Sequence, residues 1–141
     1  MNVTQISVFL ENRAGQLSNI TRVLSENGVD LRAINIAETA DYGVLRIIPA
    51  DAQKASAVLL ENGFIMAMTP VIAVAVPDRP GGLNSLLEAL AEEEIGIEYM
   101  YSVFSSNSGE ALMVLQVSEA DKTAEVLRKH NFKTVTVEEI K

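Results

Sequence analysis

The chain has no cysteine and no tryptophan, and aromatic residues fill only 5% of its 141 positions. The missing thiols exclude disulfides, thiolate nucleophiles and cysteine-ligated metals, and are compatible with a reducing cytosol. Basic residues are also few. Eleven Lys and Arg stand against nineteen Asp and Glu, a formal net charge of −8. That balance argues against nucleic acid, whose affinity rests on Lys and Arg at phosphates, and equally against an anionic membrane surface. Its simplest consequence is solubility. No apolar run approaches the roughly 18 residues that span a bilayer. The first residues, Met-Asn-Val-Thr-Gln-Ile-Ser, lack the basic and long apolar regions of a signal peptide. A cytoplasmic protein is expected.

Catalytic signatures are missing too. The chain contains no G-x-x-x-x-G-K-[ST], G-x-G-x-x-G or H-E-x-x-H. Its one histidine, His130, falls near a predicted helix end and has no partners for metal or acid–base work. Glu92, Glu93 and Glu94 are consecutive on a predicted helix, so they point in different directions and form a solvated face rather than a metal cluster. Tyr99 and Tyr101 share one face of a predicted strand, as packing residues or as an interface or pocket wall. No cofactor is implied.

What the chain does have is 48% apolar residues and one phrase written twice. The first copy is Leu-Glu-Asn-Arg-Ala-Gly-Gln-Leu, Leu10 to Leu17; the second is Val-Pro-Asp-Arg-Pro-Gly-Gly-Leu, Val76 to Leu83. Each follows an apolar, strand-like run and precedes helical periodicity. Arg13 and Arg79, Gly15 and Gly81, and Leu17 and Leu83 match at one offset. A repeated strand–loop–helix entry means two copies of one module. Modules of about 70 residues are marginal alone and gain from sharing buried surface.

The first half reads as strand Val3–Leu10, a helix with Leu17, Ile20, Val23 and Leu24 on one stripe, and a stop at Asn27-Gly28. Strand Val29–Ala37, turn Thr39–Gly43 and strand Val44–Ile48 follow. Next come a helix capped by Asp51 and stopped by Gly63, and strand Phe64–Met68. The second half repeats the order. It has strand Val71–Val76, helix Leu83–Glu93, strand Ile95–Val103, the longer turn Ser105–Gly109 and strand Ala111–Val117. Helix Asp121–His130 and strand Phe132–Val137 complete it. The expected boundary lies at Thr69-Pro70, giving domains 1–69 and 70–141. A doubled βαββαβ order is α+β: two ferredoxin-like modules, each an antiparallel sheet with helices on one face. The short connection lets the two pair side by side, which removes a sheet edge from each.

A glycine-bearing loop that opens a helix lets backbone approach a ligand and offers free N–H groups to a carboxylate. The same loop also serves as a tight turn without a ligand. The phrases E-N-R-A-G-Q-L and P-D-R-P-G-G-L, with the continuation Ser25-Glu-Asn-Gly-Val-Asp-Leu31, resemble the signature of the ACT domain, in two copies that cover essentially the whole chain. The resemblance implies a non-catalytic regulatory module that binds a free amino acid between paired domains. It implies ligand contacts from the loop after the first strand and from the start of the partner domain's second strand. In this chain those positions are Asn12, Arg13, Ala14, Gly15, Gln16 and Leu17, with Asp30 and Leu31. In the second copy they are Asp78, Arg79, Pro80, Gly81, Gly82 and Leu83, with Gly96 and Ile97. The copies differ at Gly96, which offers no side chain where Asp30 does, and at Ala14, where the second copy has Pro80. Since no enzymatic domain is read in the chain, the signal would pass to a partner such as a regulated enzyme. A homodimer is expected. The alternatives are a structural or oligomerisation module without ligand, and a small enzyme on a ferredoxin-like scaffold.

Overall fold

The computed structural model describes residues 3–11, 13–38, 42–105 and 107–140, with only the backbone of Glu38. Two compact units are present, Thr4–Thr69 and Pro70–Lys141, the second also taking in Val3.

In the first unit, β1 (Val3–Glu11) leads into α1 (Gln16–Glu26), followed by β2 (Leu31–Glu38), β3 (Tyr42–Pro49), α2 (Ala52–Glu61) and the start of β4 (Met66–Pro77). The strands lie in the order β2-β3-β1-β4. β1 and β3 pair antiparallel, Ile6 opposite Ile47 and Val8 opposite Leu45, and β2 joins with Ile34 opposite Ile47. Strand alternation turns Ile6, Val8, Leu10, Leu45 and Ile47 to one face, where Ile20, Val23 and Leu24 of α1 and Ala55, Val58 and Leu59 of α2 close the core. Asp51 caps α2 as its sequence position predicts: its carboxylate accepts from the Lys54 N–H at 3.1 Å. Gly28 and Gly63 take positive φ of 69° and 80° just past α1 and α2, as their stop positions require.

The second unit repeats this plan. The rest of β4 leads to α3 (Gly82–Glu92), β5 (Ile97–Val103), β6 (Glu110–Val117), α4 (Ala120–Lys129), β7 (Thr134–Val135) and a 3-10 turn, Val137–Glu139. β6 lies between β4 and β5, and β7 pairs with β4. Ile72, Val74, Val76, Met113 and Leu115 face Leu86 and Leu90 of α3 and Val126 and Leu127 of α4. The repeat extends to irregularities. A register shift lies between Leu31 and Ala33 in one unit and between Ile97 and Tyr99 in the other. The βαββαβ order and the antiparallel, ferredoxin-like α+β arrangement are therefore as the sequence predicts.

Three expectations need correction. The strands expected at Phe64–Met68 and Val71–Val76 are one strand, Met66–Pro77. Pro70 does not break it, because proline is tolerated where its missing N–H is not needed by a neighbouring strand. The last strand is not Phe132–Val137 but two residues, after which the chain turns into a 3-10 segment. Leu17 is expected on the buried stripe of α1 yet is 37% exposed, and the contribution of α1 to the core begins at Ile20. Most of the expected turn Thr39–Gly43 lies outside the described residues.

Candidate functional site

The two copies of the repeated phrase place their first glycines in the same backbone conformation. Gly15, the residue before α1, has φ 87° and ψ −13°; Gly81, before α3, has φ 89° and ψ −13°. That region is costly for a residue with a Cβ, which is why glycine recurs at this place. Each glycine carbonyl accepts the first bond of its helix, from Asn19 N–H at 2.9 Å and from Ser85 N–H at 3.0 Å. A glycine has no side chain to cap the helix, and neither α1 nor α3 has a side-chain cap, in contrast to α2. Beyond Gln16 and Gly82, whose N–H groups donate back to the Arg13 and Arg79 carbonyls, the first-turn N–H groups present donors and a partial positive charge at both loops.

Inside the loops the copies diverge. In the first, Arg13 is held by its own neighbours. Its Nε lies 3.6 Å from the Glu11 carboxylate. With the Gln16 amide oxygen turned toward it, Arg13 donates from Nη2 at 2.7 Å and from Nε at 3.0 Å. In the second loop Pro77 and Gly82 stand at those two places, so Arg79 lacks both side-chain partners. Backbone bonds close both loops, the first through Arg13 N–H to the Glu11 carbonyl at 2.9 Å and Gln16 N–H to the Arg13 carbonyl at 3.4 Å. In the second, Arg79 N–H donates to Pro77 at 3.0 Å, Gly82 N–H to Arg79 at 3.0 Å, and Asp78 N–H to Gly109 at 2.8 Å. A Cβ on Gly82 would lie 1.9 Å from the Pro77 carbonyl oxygen, so this turn admits only glycine as it stands.

The other expected residues fall as follows. Asn12 lies outside the described residues. Arg13, Ala14, Asp78, Arg79, Pro80 and Gly81 are exposed, Gln16 and Leu83 half-buried and Gly82 buried. Asp30 sits just ahead of the β2 register shift, its carboxylate exposed and 3.2 Å from Arg32 Nε. Its carbonyl accepts from Ala50 N–H at 2.9 Å. Gly96 occupies the matching place, its carbonyl accepting from Ser118 N–H at 3.2 Å. Leu31 and Ile97, which open β2 and β5, are half-buried. The structure thus brings Arg13 and Gln16 together, and pairs Asp30 with Arg32. Sequence reading missed the parts played by Glu11, Arg32 and Gly109. Glu11 lay inside the repeated phrase and opposite in charge to Arg13, which was the available signal. A separate open groove of about 500 Å³ lies between α4 (Ala124, Glu125, Arg128) and Asn131–Thr134, and none of the expected residues lines it. His130 and Glu93 end helices α4 and α3, and Glu93 pairs with Lys129 at 3.7 Å.

Two ferredoxin-like units, each with a glycine-opened helix, define a tandem α+β fold, and comparison with known proteins shows the family to which it belongs. The chain belongs to the ACT domain pair family, which it matches over residues 1–141. It is similar to the crystal structure of protein BT0572 from Bacteroides thetaiotaomicron, at 38% identity and a TM-score of 0.92, covering 99% of this chain and 96% of that one. The regulatory subunit of aspartate kinase from Thermus thermophilus, in its ligand-free form, shares the fold at 18% identity and a TM-score of 0.66, over 89% of this chain and 88% of its own. The corresponding subunit from Thermus flavus does so at 19% identity and a TM-score of 0.63, over 91% and 90%. No curated protein matches the chain. Among the described residues, no helix is long and apolar enough to cross a membrane.

Proposed function

We propose that this protein is a non-catalytic regulatory module that senses a free amino acid and passes the signal to a partner protein. The observation that carries the reading is the duplicated loop. In a member of the ACT domain pair family, Gly15 and Gly81 share one backbone conformation and open helices that no side chain caps. A ligand carboxylate would take the uncapped N–H groups. Asp30, Asp78 or Asn12 would take its ammonium group. Each unit, 1–69 and 70–141, would act as one ACT domain, and a second ACT domain would complete each site.

The loops suggest unequal sites. Arg13 is engaged by the Glu11 carboxylate and the Gln16 amide oxygen, whereas the second loop offers Arg79 neither partner and leaves its guanidinium to a ligand. The Asp78–Gly82 loop is therefore the stronger candidate. The Thermus proteins that share the fold are regulatory subunits of an enzyme, and we extend that role to this chain with a regulated enzyme as its partner; as separate parts of the proposal, the chain is a homodimer and works in the cytoplasm. A thermal-shift panel of the free amino acids tests the reading. A selective rise supports a sensor. No rise with any of them would leave a structural or oligomerisation module as the better account.

A further inference from the structure

The internal repeat fails in two places, and the two failures meet. The offset between copies is 66 residues at Gly15 and Gly81 but 68 at Leu59 and Leu127, so the second copy has gained two residues between them. The gain falls in the β5–β6 turn, the one read from the sequence as longer. The second departure is Val137–Ile140, which has no counterpart in the first unit, where the fourth strand runs on as β4. This segment carries the chain from β7, on one flank of the sheet, to the end of β5 on the other. There Ile140 forms an antiparallel bridge with Ser105, at the start of the lengthened turn.

Ile140 is fully buried, yet it is not part of the core beneath α3 and α4. The sheet face turned away from the helices also differs between the units. In the first unit one cross-strand row of that face is Ser7, Arg46 and Asn35, which is polar. The matching row of the second unit is Ala73, Val114 and Tyr101, all buried. The segment is held further by Lys133 and Glu139, paired at 3.4 Å, and by the Ile140 N–H bonded to Val137 at 3.2 Å. The turn it grips ends at Gly109, whose carbonyl accepts the Asp78 N–H at 2.8 Å, and Glu110 pairs with Pro77. The turn is thus fastened to Val137–Ile140 at one end and to the Asp78–Gly82 loop at the other.

We infer that Val137–Ile140 is a latch on the β5–β6 turn, and that through this turn the latch and the Asp78–Gly82 loop open and close together. Coupling of this kind needs a contiguous set of bonds shared by the two ends, and the described residues supply one: Asn107 N–H donates to Ser105 Oγ at 3.0 Å and Glu110 N–H to the Asn107 carbonyl at 3.4 Å. Where it concerns a ligand, the inference rests on the loop being the amino-acid site. Occupancy of that loop would then hold the latch closed, and release would free it, equally in both directions by linkage. The mechanical coupling stands without any ligand.

Native-state hydrogen exchange on the full chain, without ligand, tests it in Ile140→Ala and in the milder Ile140→Val. The latch account expects the Asp78 and Glu110 amides to exchange about tenfold faster in Ile140→Ala, together with Val137–Ile140. Ile140→Val should show a smaller rise at the same amides. The Leu86 and Leu90 amides of α3 and the Arg13 amide of the first loop should not change. Faster exchange confined to Val137–Ile140, with Asp78 unchanged, overturns the inference. So does a uniform rise that includes Leu86 and Leu90. Because no amino acid is used, neither result depends on whether the protein is a sensor.

Discussion

Gly82→Ala should damage the protein far more than Gly81→Ala, although the two residues are neighbours in one loop. A Cβ on Gly82 meets the Pro77 carbonyl oxygen at 1.9 Å and its carbonyl carbon at 3.0 Å. Ordinary contact begins near 3.4 Å, so about 1.5 Å must be found by moving backbone rather than a side chain. The oxygen that must move accepts from Arg79 N–H at 3.0 Å, and the same turn holds Gly82 N–H to Arg79 at 3.0 Å. Loss of those two bonds at about 1 kcal/mol each, with overpacking strain of about 1–3 kcal/mol, gives a cost of about 3–5 kcal/mol if the turn keeps its shape, less if it opens. At Gly81 nothing lies within 4 Å of an added Cβ, so the cost is that of φ 89° alone, about 1–2 kcal/mol. One kcal/mol moves the melting temperature of a domain this size by about 4–8 °C, so calorimetric melts separate the variants readily. Gly82→Ala should melt roughly 10 °C or more below the parent, and Gly81→Ala clearly above Gly82→Ala. If Gly82→Ala melts at or above Gly81→Ala, the tight second turn described here is wrong.

Other expectations follow from single contacts. Asp51→Ala removes the cap of α2 and should cost about 1 kcal/mol in denaturant titration. Leu59→Ala and Leu127→Ala, fully buried at matching places in the two cores, should each cost about 2–5 kcal/mol, and a large inequality would show that the cores are not equivalent. Asp30→Ala breaks a pair between an exposed carboxylate and the half-buried Arg32 side chain and should cost about 1 kcal/mol; unchanged ligand affinity in that variant would remove Asp30 from any site. Light scattering should give the mass of a dimer, and a monomer mass across a wide concentration range would reject the proposed homodimer.

Much of the fold was legible because it is local and written twice. Apolar alternation marked β1 and β3, the stripe Ile20, Val23 and Leu24 marked α1, and Gly28 and Gly63 marked helix ends through a conformation that side chains resist. Where the reading failed, the deciding partner was distant in sequence. Pro70 looked like a break, but whether proline interrupts a strand depends on which N–H groups its neighbours need. Phe132–Val137 looked like a strand, but Ile140 finds its bridge at Ser105, a contact no local pattern announces. The site was legible in its backbone and not in its charges. Gly15 and Gly81 stood out, while the pairing of Arg13 with Glu11 and Gln16 and the role of Pro77 in excluding a Cβ at Gly82 depend on how each loop closes.

The central claim is that a free amino acid binds this protein, and isothermal calorimetry of the full chain against each of the twenty, paired with melting curves, tests it most directly. The account predicts saturable heat with one amino acid or a few related ones. It also predicts a stabilisation of about 2.7 kcal/mol when that ligand stands a hundredfold above its dissociation constant. The response should weaken in Gly81→Val, which blocks backbone approach at the second loop. Absence of heat and of any melting shift with all twenty would contradict it.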